Sequence, residues 1–107
     1  SERDARAGAA TAATAMGAGD AFLSYGEAGK AAELYALALT KPGVDMPRVL
    51  TRLGIAQLDS GKPAEAQATF GRVTGPRAAI ARLWAIYAEQ RARAAAPAVA
   101  APVAPAK

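Results

Sequence analysis

Apolar residues recur along the chain at spacings of three and four, which is the spacing of an α-helix. Ala31, Leu34, Tyr35 and Ala38, for example, fall at i, i+3, i+4 and i+7, positions that share one side of a helix. No segment alternates between apolar and polar residues over a useful length, so we expect no β-strand. The pattern therefore predicts an all-α protein.

Glycine and proline divide this pattern into five predicted helices. The helices cover about residues 4–25, 28–40, 46–60, 62–73 and 76–95. Asp45 is expected to cap the third helix, where Pro47 is tolerated because the first turn leaves its backbone nitrogen without a helical partner. From Pro97 onward, repeated Pro and Ala predict a disordered tail over residues 96–107.

One set of residues occurs twice, 35 positions apart. The set is Gly19, Ala21, Leu23, Gly26, Ala31 and Tyr35, which recurs as Gly54, Ala56, Leu58, Gly61, Ala66 and Phe70. A fixed period of this length indicates a duplicated pair of helices whose copies stack on one another.

The spacing within each unit resembles that of the tetratricopeptide repeat family. The family pattern is matched in the second unit by Leu53, Gly54, Gly61, Ala66 and Phe70, and in the first by Gly19, Gly26, Ala31 and Tyr35. Leu50 and Gln57 depart from it, since the family has Trp and Tyr in those places. Trp84 follows Leu50 by one family period, so the fifth helix resembles the first helix of a third unit.

This resemblance implies a right-handed α-α superhelix without a sheet. Its parts would be two helical hairpins, at about residues 12–43 and 47–76, and a capping helix at about 76–95. Together they would form one helical repeat domain over residues 1–95. More loosely, Leu53 to Tyr87 is similar to the C-terminal end of bacterial repeat proteins.

We therefore expect the C-terminal part of a larger bacterial protein. The sequence begins at Ser1 rather than Met, which favours a processed or partial chain. A protein without Cys suits either the bacterial cytoplasm or the periplasm, and the resemblance to an exported protein favours the periplasm.

The composition excludes most catalytic chemistry. The 107 residues contain no Cys and no His, so a disulfide, a thiolate nucleophile, a Cys/His zinc site and an imidazole base are all excluded. Glu27 and Glu33 lie six residues apart and would fall on different sides of a helix. We expect no enzyme activity and no cofactor. No apolar run approaches the length that a membrane-spanning helix needs, so we expect no membrane span.

Charge is divided unevenly along the chain. Residues 1–47 carry a net charge of −2 and residues 48–107 a net charge of +6. A basic half can steer an acidic partner. No nucleic-acid-binding motif accompanies the charge, so we expect a protein or peptide partner and no nucleic acid.

The tetratricopeptide resemblance also implies a binding surface. In that family the first helices of the hairpins line a concave groove that holds a peptide or a helix of a partner. The groove candidates are Arg48, Arg52, Arg82, Asp20, Ile55 and Asp59. Basic residues spaced like Arg48 and Arg52 can grip a carboxylate in the family, but Met16 and Asp20 stand where that grip needs Lys and Asn. The alternative interpretation is that the arginines are ordinary solvated charges.

Two functions are consistent with these observations. The first is a non-catalytic protein–protein interaction module that binds a partner in the groove. The second is a self-association domain, because Leu, Ile, Val and Phe make up only 18 of the 107 residues and two and a half repeats with so thin a core are marginally stable. Such a domain would form a homodimer or pack on upstream repeats. The aromatic residues Phe22, Tyr35, Phe70, Trp84 and Tyr87 are expected to serve packing.

Overall fold

The protein is all-α, as the sequence predicts. The computed structural model describes residues 2–95, with side chains described from residue 11 onward, and contains no strand in that range. The predicted tail, residues 96–107, lies outside the described residues. The helices are α1 (Glu2–Ser24), α2 (Ala28–Leu39), α3 (Met46–Asp59), α4 (Pro63–Phe70) and α5 (Ala78–Ala95). In the described part of the chain, no helix combines the length and the apolar character needed to cross a bilayer.

The turns that end α1 and α3 have the same backbone geometry. Gly26 and Gly61 have φ angles of 79° and 81°, values that glycine adopts without strain. Beyond them, Glu27 and Lys62 each donate a backbone N–H at 2.8 Å to the carbonyl five residues earlier. This is the Schellman arrangement of a helix C-terminus. The repeat of the sequence is therefore also a repeat of the backbone.

Two helix boundaries follow from local chemistry. The carboxylate of Asp45 accepts the backbone N–H of Arg48 at 3.3 Å, which confirms the predicted cap of α3. The fourth helix is shorter than predicted, because it ends at Phe70. A 3-10 turn over Gly75–Arg77 then precedes α5, at the place where the sequence predicts the first turn of the fifth helix.

Each helix packs mainly against the helices before and after it in sequence. The buried side chains form two clusters, one between α1, α2 and α3 and one between α3, α4 and α5. The first cluster is Ala15, Ala31, Tyr35, Ala38, Val49, Leu53 and Ala56. The second is Leu50, Leu58, Ala66, Phe70, Val73, Ala81 and Ala88. Helix α3 contributes buried residues to both clusters, and the partly buried Leu39 of α2 packs against both.

Candidate functional site

A carboxylate joins the first three helices at the surface of the stack. Asp20 on α1 accepts a hydrogen bond from the hydroxyl of Tyr35 at 2.5 Å and another from Nη1 of Arg52 at 2.7 Å. Tyr35 is fully buried, whereas the side chains of Asp20 and Arg52 are 43% and 29% exposed. We call this group the Asp20 bridge (Asp20, Tyr35 and Arg52). Both carboxylate oxygens are used, so the bridge fixes α1 against α2 and α3.

The Asp20 bridge keeps Tyr35 protonated. Burial raises the pKa of the Tyr35 phenol far above its ordinary value of 10.0, and the hydrogen bond to Asp20 and the negative charge of Asp20 raise it further. The positive charge of Arg52 acts in the opposite direction but is outweighed. Tyr35 is therefore a hydrogen-bond donor throughout the physiological pH range.

At the corresponding place in the second half of the stack, the side chains are apolar. Ile55 and Phe70 follow Asp20 and Tyr35 by 35 positions. Trp84 of α5 stacks on Phe70, with ring centroids 6.0 Å apart and planes inclined at 21°. The polar contact between α1, α2 and α3 is thus replaced by an apolar one between α3, α4 and α5.

The orientation of α5 is set by a row of alanines that faces α4. Helix α3 has a comparable row of side chains that faces α2. The rows are Val49, Leu53 and Ala56 on α3, and Ala81, Ala85 and Ala88 on α5. The step along the sequence from Val49 to Ala81 is the same as the steps from Leu53 to Ala85 and from Ala56 to Ala88. We call this step the packing offset. The packing offset is two positions shorter than the step from Leu50 to Trp84. Because it matches the two rows that face the preceding helix, it relates the residues that take equivalent places on α3 and α5.

Beside its alanine row, α5 carries a row of large apolar side chains that are exposed or partly exposed. Ile80, Leu83, Trp84 and Tyr87 are three or four residues apart, so they fall on one side of the helix, and they line one shallow apolar depression. Ile80 is 60% exposed and Leu83 67% exposed. Tyr87 meets Trp84 edge to face at 6.1 Å. We call these four residues the α5 stripe.

Four of the predicted groove residues lie on the side of α3 that corresponds to the α5 stripe. The packing offset relates Arg48, Arg52 and Ile55 to Ile80, Trp84 and Tyr87, in that order, and Asp59 lies one turn beyond Ile55. Arg52 reaches Asp20 on α1. Arg48, Arg52, Ile55 and Asp59 therefore share one side of α3, which the ion pair of Arg52 joins to Asp20 on α1, and the α5 stripe takes the equivalent side of α5. We call this surface the α1–α3–α5 face.

Arg48 is a cation of the α1–α3–α5 face that has no ion pair among the described residues. Its side chain is exposed, and within the described residues its guanidinium has no ion pair or hydrogen bond. It borders a cleft of about 170 Å³ shared with Met16 of α1 and Val44 of the α2–α3 loop. Asp45 lines the same cleft, and its carboxylate accepts the backbone N–H of Arg48.

The sixth predicted residue, Arg82, lies apart from the others. Successive residues of an α-helix are rotated by about 100°, which places Arg82 about 150° around the α5 axis from the middle of the α5 stripe. The packing offset relates Arg82 to Leu50, which packs toward α4. Matching Trp84 to Leu50, as the sequence suggests, gives α5 a different rotation about its axis. That match makes Arg82 equivalent to Arg48, whereas the packing makes it equivalent to Leu50.

The α5 stripe was not predicted as a site. Trp84 and Tyr87 are expected from sequence to serve packing, but Tyr87 is 44% exposed and Trp84 is only partly buried. One signal is nevertheless present in the sequence. A row of alanines at the same helical spacing, Ala81, Ala85 and Ala88, lies on the adjoining side of α5, and small residues are those that allow a helix to approach a buried ring closely.

The chain matches no protein-family model, and no curated protein or solved structure is significantly similar to it. The candidate site therefore rests on the chain's own geometry.

Proposed function

We propose that this protein is a non-catalytic protein–protein interaction module, built as a short tetratricopeptide-like right-handed superhelix. Its binding surface is the α1–α3–α5 face, which corresponds to the concave groove of such a superhelix. The observation that carries the proposal is the exposure of the α5 stripe beside the open, basic side of α3.

The energetic argument rests on apolar area. Large apolar side chains that are exposed together, with polar residues around them, commonly mark an interaction surface. Covering an exposed Leu or Ile side chain fully contributes about 1.5–3 kcal/mol. Leu83 and Ile80 have most of that area still in water, so a partner that covers the α5 stripe gains several kcal/mol from it.

Site-specific photo-crosslinking in the native lysate tests this function. Benzoylphenylalanine is placed at Leu83 in one variant and at Ala64, which is exposed on α4, in the control variant. We expect Leu83 to form an adduct with a different protein that Ala64 does not form. Identical adducts at both positions, or no adduct at Leu83, would contradict the proposal.

Self-association through the α5 stripe is the second candidate, since a second copy could cover the same apolar area. A symmetric pair would, however, bring both copies of Arg48 and Arg91, two cations without an ion pair among the described residues, into one interface. Arg91 belongs to the same side of α5, because its guanidinium lies 5.6 Å from the Tyr87 ring centroid. A concentration-dependent dimer in sedimentation velocity, lost in Leu83→Glu, would establish this alternative.

A further inference from the structure

On the proposed concave surface, the groove formed by α3 and α5 would have two chemically different walls. The α5 wall is the apolar α5 stripe, whereas the α3 wall carries Arg48, Arg52, Ile55 and Asp59. Short connections make successive helices run in opposite directions, so α3 and α5 run parallel and Arg48 lies level with Ile80. An occupant must therefore be apolar on one side and polar on the other.

Two cations of this groove, Arg48 and Arg91, have no ion pair among the described residues. The packing offset relates Asp59 to Arg91, so these opposite charges lie at the same level near the C-terminal ends of the two helices. Arg52 is paired with Asp20. Arg48 has no such partner among the described residues, which leaves a positive charge at the N-terminal end of the groove.

The apolar wall also restricts the backbone of the occupant. An extended peptide laid on the α5 stripe would bury most of its N–H and C=O groups against apolar side chains, since only the indole N–H of Trp84 and the hydroxyl of Tyr87 can form hydrogen bonds there. Buried backbone groups without partners are costly. A helix satisfies its own backbone, and apolar residues at i, i+3, i+4 and i+7 match the two turns that the α5 stripe spans.

We infer that this groove binds an acidic amphipathic α-helix of a partner protein, with its apolar side on the α5 stripe and a carboxylate on Arg48. The inference rests on the proposed function and names the chemistry of its partner. Residues 96–107 of the chain itself do not have this chemistry, because they contain three prolines and no Asp or Glu.

A displayed helix library tests the inference. The probe is a set of synthetic amphipathic helices of about four turns with a constant Leu stripe and with Glu, Lys or Gln at the flanking positions, selected on the full chain. We expect Glu to be enriched about fivefold over Lys near one end of the helix, the ratio that an exposed ion pair of about 1 kcal/mol gives.

Three variants make the outcome specific. Leu83→Glu should abolish the selection, because it places a charge in the α5 stripe. Arg48→Glu should reverse the preference from Glu to Lys. Arg72→Glu makes the same change in charge at an exposed position after α4 and should leave the preference unchanged. Circular dichroism and thermal unfolding confirm that each variant is folded.

The inference would be overturned if Glu were not enriched, if Arg72→Glu had the same effect as Arg48→Glu, or if binding persisted in Leu83→Glu. A specific protein adduct at Leu83 combined with any of these results would retain the proposed function and remove the acidic helix. Absence of that adduct would remove the proposed function itself.

Discussion

At the scale of single residues, the two halves of the repeat share a close contact between a glycine and an aromatic ring. A Cβ atom added at Gly19 would lie 2.7 Å from Cε1 of Tyr35, and one added at Gly54 would lie still closer to Cε1 of Phe70. Both rings are buried, so they have little room to move. The two glycines are needed because each lets the second helix of a hairpin approach the first.

This contact predicts that replacement by alanine destabilises the protein at a glycine beside a ring and stabilises it at a glycine away from one. Gly19→Ala and Gly54→Ala should each lower the free energy of unfolding by about 1–3 kcal/mol, because a buried ring must be displaced. Gly17→Ala should raise it by up to about 1 kcal/mol, since nothing lies within 4 Å of the added methyl group and Ala is the better helix former. Urea denaturation measures all three. A stabilised Gly54→Ala variant would contradict the contact.

The Asp20 bridge predicts a pH-dependent contribution from Tyr35. At pH 7, Tyr35→Phe should lower the free energy of unfolding by about 1.5–3 kcal/mol, because it removes a hydrogen bond to a charged group. Burial and Asp20 raise the pKa of Tyr35 in the folded state. The hydroxyl therefore ionises first in the unfolded chain, and its stabilising contribution is complete below about pH 10 and lost above it.

The measurement is the difference in unfolding free energy between wild type and Tyr35→Phe from about pH 8 to about pH 11.5, a range that brackets the ordinary pKa of tyrosine. Groups that titrate identically in both chains cancel in this difference. The difference should shrink as the pH rises above about 10. Parallel curves over the whole range would show that Tyr35 is not perturbed by the Asp20 bridge.

At the scale of helices, α5 departs most from expectation. Its small side chains face inward and all of its large apolar side chains except Trp84 are exposed, the reverse of an ordinary amphipathic helix. The reason is that Trp84 already covers part of Phe70, so the rest of the contact with α4 must be made by residues small enough to bring the two backbones together.

The arrangement of α5 predicts that its alanines differ sharply in how well they tolerate replacement by a larger side chain. Ala88→Leu should lower the free energy of unfolding by about 1–3 kcal/mol, because Ala88 is fully buried and the larger side chain overfills the contact with α4. Ala94→Leu, at an exposed position of the same helix, should change it by less than about 0.5 kcal/mol. Thermal unfolding of the two variants tests this prediction. Equal stabilities would mean that Ala88 does not lie on the side of α5 that faces α4.

The helices and the cap at Asp45 could be predicted from the sequence, because helical spacing, glycine and proline act locally. Asp20, Arg48, Arg52 and Ile55 were predicted through the tetratricopeptide resemblance, and the structure shows an ion pair between two of them, Asp20 and Arg52. The rotation of α5 could not be predicted from the sequence, because it depends on which side chains fit against the buried ring of α4. Matching Trp84 to Leu50 by residue type gave a step two positions longer than the packing offset, which moved Arg82 into the predicted groove.

At the scale of the whole molecule, stability is unevenly distributed. Helices that pack mainly on their neighbours in sequence form a nearly one-dimensional stack, in which each interface contributes separately. Helix α3 belongs to both clusters of buried side chains. The outer helices are held from fewer sides within the described residues, so they should open more readily.

Hydrogen exchange should therefore vary along the stack. We expect the amides in the middle of α3 to exchange most slowly and those in the last turns of α5, where most side chains are exposed, to exchange faster. Exchange followed by mass spectrometry at peptide resolution measures this. Leu50→Ala should weaken protection in α4 and α5 more than in α1, whereas uniform loss of protection would indicate that the chain opens as a single unit.

The position of Trp84 has a spectroscopic consequence. It is the only tryptophan of the sequence and lies in the α5 stripe, so the fluorescence of the protein excited at its indole comes from the proposed contact surface alone. Occupation of that surface should move the emission to shorter wavelengths and protect the indole from acrylamide. A partner that lacks tryptophan can then be followed as it associates and dissociates, without a dye and without any change to the chain.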